Sequence, residues 1–195
     1  DVLRGAASAI YGNATGGVVA YQTISAGPEA FTQRVRLQAG SFGSSKWQAI
    51  STARAGDFSG VFSVSRFQWD GFRQQSAADQ RLLNFATTWA PSERTQLDLR
   101  FLAADNPLQQ NPGALNFREY DVNPDSAPAN NILRNANNDV QQQQGSLSLR
   151  QRWTKWSGEL QVAVFGLNRD ISNPLATGPA GPPSVRGIYN AIDRR

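Results

Sequence analysis

The sequence predicts an all-β chain: a transmembrane antiparallel sheet of the barrel type, with about seven strands. Three observations predict it. From Phe31 onward, apolar and polar residues alternate in short runs divided by turn residues. The connections between runs fall into two sets that alternate along the chain, one tight and one long. The five tryptophans stand at run ends or beside turns.

The opening stretch, Asp1 to Val19, is rich in small residues and punctuated by Gly5, Gly12, Gly16 and Gly17 around Tyr11. Glycine at that density marks tight turns and close backbone approach rather than a regular element. Gly16-Gly17 opens onto VVAYQTI, a β-branched and aromatic run that reads as a short strand. The first long run, FTQRVRLQAG, sets Val35, Leu37 and Ala39 against Thr32, Arg34, Arg36 and Gln38. Period-two alternation places two such sets on opposite faces of a strand. Lys46 to Arg54 opposes Trp47, Ala49 and Ala53 to Gln48, Thr52 and Arg54, with Ile50 out of pattern. Phe58 to Trp69 reads as a strand of ambiguous facing, which a bulge near Ser65-Arg66 would reconcile.

Four cleaner runs follow. Leu83, Phe85, Thr87 and Trp89 oppose Asn84, Ala86 and Thr88, and Leu97, Leu99, Phe101 and Ala103 oppose Gln96, Asp98 and Arg100. Leu147, Leu149 and Trp153 oppose Ser148, Arg150, Arg152 and Thr154, and Leu160, Val162 and Val164 oppose Glu159, Gln161 and Ala163. No Lys, Arg, Asp or Glu interrupts these apolar faces in mid-strand. A Lys or Arg at a bilayer midplane costs about 2–4 kcal/mol, so a lipid-facing surface excludes them.

The connections Ala55–Asp57, Pro91–Arg94 and Ser157-Gly158 are tight. Those at Phe42–Ser45, Trp69–Gln80, Leu102–Gln144 and from Asp170 onward form the other set, which lengthens along the chain. Antiparallel strands put the two sets at opposite ends of the sheet, the arrangement of outer-membrane barrels with short periplasmic turns and long extracellular loops. Trp47 and Trp69 fall toward the long end, and Trp89, Trp153 and Trp156 toward the short one, as two interfacial girdles require. The longest connection, Asn106 to Gln144, is rich in Asn, Gln and Pro and closes on Gln141–Gln144. The tail TGPAGPPSVRGIYNAIDRR reads as loop without a clear following strand.

Composition narrows function. The 195 residues include no Cys, His or Met. Disulfides, thiolate chemistry and zinc–sulfur sites are excluded, and the commonest general base is missing. No nucleophile elbow, phosphate-binding Gly-Lys loop or paired carboxylates stand on any run, so neither a catalytic residue nor a metal site is expected. Net charge is +4 with pI 10.0, but the arginines are scattered along strands and do not form a nucleic-acid patch. Mean hydropathy is −0.46, which a barrel with one wet face can share with a soluble protein. No apolar run reaches the roughly 20 residues of a membrane-spanning helix. Asp121-Val122-Asn123-Pro124-Asp125 has the oxygen spacing of a calcium-loop start, but Ser126 and Ile132 replace the required Gly and Glu, so Asx-type turns are expected. Asn13-Ala14-Thr15 matches a glycosylation acceptor, read here as accidental. The lack of Met and a start at Asp1 suggest an internal fragment of a longer chain.

The opening stretch also resembles the end of the plug domain of TonB-dependent outer-membrane receptors. Such plugs close on a pattern near E-V-x-R-G-P-x-S-x-x-Y-G, a few small residues, then G-G-V-I-N. Val2, Arg4, Gly5, Ser8, Tyr11 and Gly12 match in register, and Gly16, Gly17 and Val18 match the closing part. Asp1, Ala6 and Ala20 depart from the usual Glu, Pro and Asn, and the Asn13–Thr15 spacer is one residue shorter than the commonest form. Trp69-Asp70-Gly71-Phe72-Arg73, the SERTQLDLRF stretch and Asn111-Pro112-Gly113-Ala114-Leu115 resemble the early barrel of that family.

The resemblance implies a plug terminus over residues 1–27 and the N-terminal part of a transmembrane barrel over 28–195. It implies a receptor in the outer membrane of a Gram-negative-type bacterium, surrounded by outer-membrane lipid. The activity implied is uptake of a scarce small-molecule ligand, an iron chelate such as a ferric siderophore, with no covalently bound cofactor. The TonB energy-coupling complex would act through a segment upstream of Asp1. Arg4 becomes a candidate for a plug–barrel ion pair. Arg34, Arg36, Arg54, Arg100, Arg150 and Arg152 become candidates for a lumen lining, and Trp69, Phe72 and Arg73 for extracellular-loop contacts. Two alternatives stay open: a passive porin or structural barrel, and a soluble β-sandwich binding module.

Overall fold

The computed structural model describes residues 24–153 and 158–172 in full, and the backbone of 2–4, 17–19, 173–174 and 188–194. Strands β1 (Val2–Arg4) and β2 (Gly17–Val19) pair antiparallel, with Arg4 opposite Gly17. Then follow β3 (Phe31–Ala39), β4 (Ser45–Ala55), β5 (Phe58–Trp69), β6 (Ala78–Ser92) and β7 (Thr95–Gln109). Two short helices, α1 (Phe117–Val122) and α2 (Ala129–Leu133), precede β8 (Asp139–Trp153), β9 (Gly158–Pro174) and β10 (Ile188–Arg194). Strands β3 to β10 form one antiparallel sheet in which every strand pairs with its neighbours in sequence.

All seven strands expected from alternation are present, and β10 adds an eighth. A sandwich needs two sheets facing each other across a shared core. Here β3–β10 lie side by side in one sheet, with β3 and β10 as its edges.

The register assigns every strand a facing. Phe58, Trp89, Leu97, Leu149 and Val162 stand opposite one another in one row across β5–β9. Phe31, Ala53, Gly60, Thr87, Leu99, Leu147 and Val164 form the next, and Val35, Ala49, Val64, Leu83 and Ala103 close the band two rows further on. These rows make a continuous apolar belt on one face. Nothing in the described residues covers it: Leu37 is 76% exposed and Val164 67%. The other face carries Arg34, Gln48, Ser63, Asn84, Gln144 and their neighbours, with Ile50 among them.

Among the described residues the only buried apolar side chains are Ala127 and Ala136, both outside the sheet. They lie in the connection between β7 and β8 and help to form a small core at the long-connection end.

The structure corrects five expectations. The β4–β5 and β5–β6 ladders run without a break through Ser65 and Arg66, so no bulge occurs there. Arg66 therefore shares a face with the belt. Register shifts occur instead between Asp79 and Arg81 and between Trp89 and Ser92. Second, β6 begins at Ala78, within the connection expected to reach Gln80. Third, β7 continues to Gln109 and β8 starts at Asp139, which reduces the long connection to residues 110–138 and places Gln141–Gln144 in a strand. Fourth, β9 extends past Asp170 to Pro174, and the tail contains β10. The common cause is that these extensions lie beyond the belt, where both faces are polar and alternation no longer marks a strand. Fifth, Trp69 stands on the face opposite the belt, whereas Trp47, Trp89 and Trp153 share the belt face.

The asymmetry of the connections is present in three dimensions. Residues 56–57 and 93–94 link strands at one end, and 40–44, 70–77 and 110–138 link them at the other. Strands of 15, 15, 15 and 17 residues (β6–β9) exceed the roughly 9–11 that a tilted strand needs to cross hydrocarbon. The surplus lies mainly on the long-connection side of the belt.

Candidate functional site

Three surfaces carry chemistry: the polar face, the long-connection end, and the margin where the belt stops.

On the polar face, Arg34, Arg36, Arg100, Arg150 and Arg152 all lie opposite the belt. Period two guarantees this once the register is fixed, because each occupies the alternate position to an apolar neighbour. They do not converge. Arg150 and Arg152 flank Glu159 at 3.9 Å and 2.7 Å near the tight-turn end. Arg100 lines a groove of about 450 Å³ with Gln48, Ser63, Asn84 and Gln144, and Ile24 lies over it. Asp98 accepts from Thr88 Oγ1 (2.6 Å) and Gln96 Nε2 (2.9 Å), and stands among hydroxyls and amides. Arg54 ties down the segment entering β3: its Nε donates to the Gly27 carbonyl at 3.1 Å and its backbone N–H to Ala30 at 2.9 Å.

At the long-connection end, Trp69, Phe72 and Arg73 lie close together in the chain, but they act differently from one another. Phe72 meets Phe42 edge-on at 6.4 Å and Trp69 at 6.0 Å, forming an aromatic trio in which Phe42 and Phe72 are exposed and Trp69 is half-buried. Arg73 is a staple. Its Nε and Nη2 donate to the Ser126 carbonyl at 3.1 and 2.8 Å, and its Nη1 to the Gly113 carbonyl at 3.2 Å. Gln74 N–H donates to the Asp125 carbonyl, and Gln75 Nε2 reaches Asn135 and Ala136. Ala77 and Gln110 join the bases of the two connections through Gln110 N–H to the Ala77 carbonyl (2.9 Å) and Ala77 N–H to Gln110 Oε1 (3.0 Å). Connections 70–77 and 110–138 are thereby one body, and Ser76, Ala127, Asn130, Ala136 and Asn137 are its buried residues. Gly71 (φ +89°) is required for it, since a Cβ there would fall 2.0 Å from Ser76 Oγ.

Helix α1 begins at a capping box in which Asn116 Oδ1 accepts from Glu119 N–H and Glu119 returns a bond to Asn116 N–H. At its C-terminal side Asn123 Oδ1 accepts from Asp125 N–H at 3.1 Å, an Asx turn at the calcium-like spacing. Among the described residues no cluster of three or more Asp and Glu is arranged for a metal ion.

The margin of the belt holds a group that sequence reasoning missed. Arg66, Arg81 and Asp105 stand opposite one another in the row just beyond Val64, Leu83 and Ala103. Asp79 lies one row further out, past the apolar band. It accepts from Arg66 Nε (2.9 Å) and Nη2 (2.6 Å) and from Arg81 Nη2 (3.1 Å), and Arg81 Nη1 reaches Asp105 at 3.4 Å. The Arg66 hydrogen bond, with Arg81 beside it, pulls the Asp79 carboxyl down to about 2, against the opposing effect of burial. The signal was in the sequence: Arg81 precedes Leu83 by two and Asp105 follows Ala103 by two. The unresolved facing of β5 concealed the third member.

Ser8, Tyr11, Gly5, Gly12 and Gly16 lie outside the described residues, as do Trp156 and the Asn13 acceptor pattern. Arg4 and Gly17 are described only as paired backbone. No protein-family model matches the chain.

Proposed function

We infer that this chain is part of a TonB-dependent outer-membrane receptor, with a plug terminus at 1–27 and the first strands of a transmembrane barrel at 28–195. The observation that carries the reading is the uncovered apolar belt, which runs across β3–β9 on a single face. A water-soluble sheet places such a face against a second layer. A membrane sheet leaves it to lipid and keeps the opposite face polar. The two-sided polarity, the tight turns at one end and the built-up connections at the other support the same orientation. The Gly-rich opening supports a plug, since large barrels with an occupied lumen are transporters rather than open channels.

In this reading the stapled connections face the outside, and Trp69 and Phe72 meet the incoming ligand, an iron chelate of the siderophore type. Arg100 and the amides beside it line the lumen. The chain performs no bond chemistry of its own: it binds, and the TonB complex, acting upstream of Asp1, supplies energy.

The test is uptake of a radiolabelled ferric siderophore by cells whose own receptors are deleted and which express the full-length protein. Uptake should require both the protein and an intact TonB system. Equal uptake without TonB would assign a passive porin instead, and absence from the membrane fraction would overturn the barrel.

A further inference from the structure

We propose that the groove bounded by Arg66 and Arg81 seats the phosphate of an anionic membrane-lipid headgroup; this rests on the membrane orientation inferred above. The groove holds about 500 Å³ and is graded in one direction. Its lower lining is Val64, Leu83 and Ala103, the last row of the belt, and its upper lining is Arg66, Arg81, Asp105 and Gln141. Trp47 stands directly opposite Arg66 at the side of the groove. An indole at that level is where a membrane–water interface places one.

The charges are also layered. Two arginines and two aspartates give no net charge, but they are not equally exposed. The Asp79 side chain is 12% exposed, whereas those of Arg66, Asp105 and Arg81 are 34%, 38% and 49% exposed. Asp79 lies beneath the two guanidinium groups and orients them, whereas Asp105 stands at their level beside Arg81, and the outer edges of both guanidinium groups meet the solvent or headgroup layer. Each guanidinium carries five N–H donors. Arg66 uses two on Asp79, and Arg81 uses one on Asp79 and one on Asp105. The remaining donors form a fork of the kind that takes phosphate oxygens bidentately. A lipid with its acyl chain along the Leu83–Phe85 surface brings a phosphate to this height. A free anion would gain nothing from the apolar lower half.

The full-length protein in phosphatidylcholine nanodiscs provides the test, with phosphatidylglycerol titrated in and bound lipid counted by native mass spectrometry. Arg81→Gln should weaken phosphatidylglycerol retention about tenfold, the size of one lost charge-assisted contact, and leave phosphatidylcholine retention unchanged. Because Arg66→Gln alone removes two of the three hydrogen bonds that hold Asp79, the paired change Arg66→Gln with Asp79→Asn is the second variant, and it should weaken retention similarly. Retention in both variants equal to that of the parent protein overturns the proposal. So does inorganic phosphate that displaces the lipid at matched concentration. Flotation of the protein with vesicles after a urea wash separates the two readings. A protein that floats but ignores the arginines refutes only the lipid site, whereas one that does not float refutes the membrane orientation and the site together.

Discussion

Arg66 holds Asp79 through two parallel hydrogen bonds, Nε to Oδ1 at 2.9 Å and Nη2 to Oδ2 at 2.6 Å, across the β5–β6 pair. The two residues are not direct partners in the ladder, where Arg66 faces Arg81 and Asp79 faces Gln68. The contact is a diagonal one that places a carboxylate between two facing guanidinium groups. Without it two like charges would stand directly opposite each other, which is destabilising. Asp79→Asn should therefore lower the unfolding midpoint by about 2–4 °C in detergent, with Arg81→Gln restoring part of the loss. Thermal melts of the single and double variants check the coupling, and simple additivity would show that Asp79 does not mediate between the arginines.

Neighbouring residues on β8 test the facing of the sheet. Leu147 lies within the belt and Ser146 on the opposite face. Leu147→Arg should cost about 2–4 kcal/mol in a bilayer and Ser146→Arg under about 1 kcal/mol. Denaturant titration in lipid vesicles measures both, and equal penalties would contradict a lipid-facing belt.

Arg73 joins two connections through backbone carbonyls of Ser126 and Gly113. Arg73→Ala should raise amide exchange in 70–77 and 110–138 together, while β5–β8 stay protected. Exchange confined to 70–77 would show that the two connections are held independently. Arg73→Lys should rescue little, because a single ammonium cannot reproduce the guanidinium fork.

The uncovered belt and the unpaired edges of β3 and β10 predict the behaviour of the 195-residue chain by itself. It should aggregate in water and disperse in detergent, since open edges and bare apolar faces template association. Analytical ultracentrifugation distinguishes this from a soluble monomer, which would argue against the membrane reading.

Where one face meets apolar surroundings and the other water, the sequence shows it. Leu83–Trp89, Leu97–Ala103, Leu147–Trp153 and Leu160–Val164 were legible as strands because apolar and polar residues alternate there. The ends of β6–β9 were not, because Asn106, Gln141–Gln144 and Asn168 have the same polar surroundings on both faces. Strand β10 was hidden in the same way: IYNAIDR has little alternation and follows a Pro- and Gly-rich stretch. The role of Arg73 was not legible either, since its partners are carbonyls 40 and 53 positions away.

The sequence by itself determined the all-β class, the number and order of the main strands, and which residues alternate with which. Those features follow from the pleat, which repeats every two residues and is local. Tertiary structure decided the facing of β5, and with it the gathering of Arg66, Asp79, Arg81 and Asp105 at one margin. It also decided that Arg73 staples and Trp69 joins the aromatic trio. The reason is physical: alternation says only that two residues differ in facing, whereas hydrogen-bond register between strands assigns that facing and brings side chains from separate strands together.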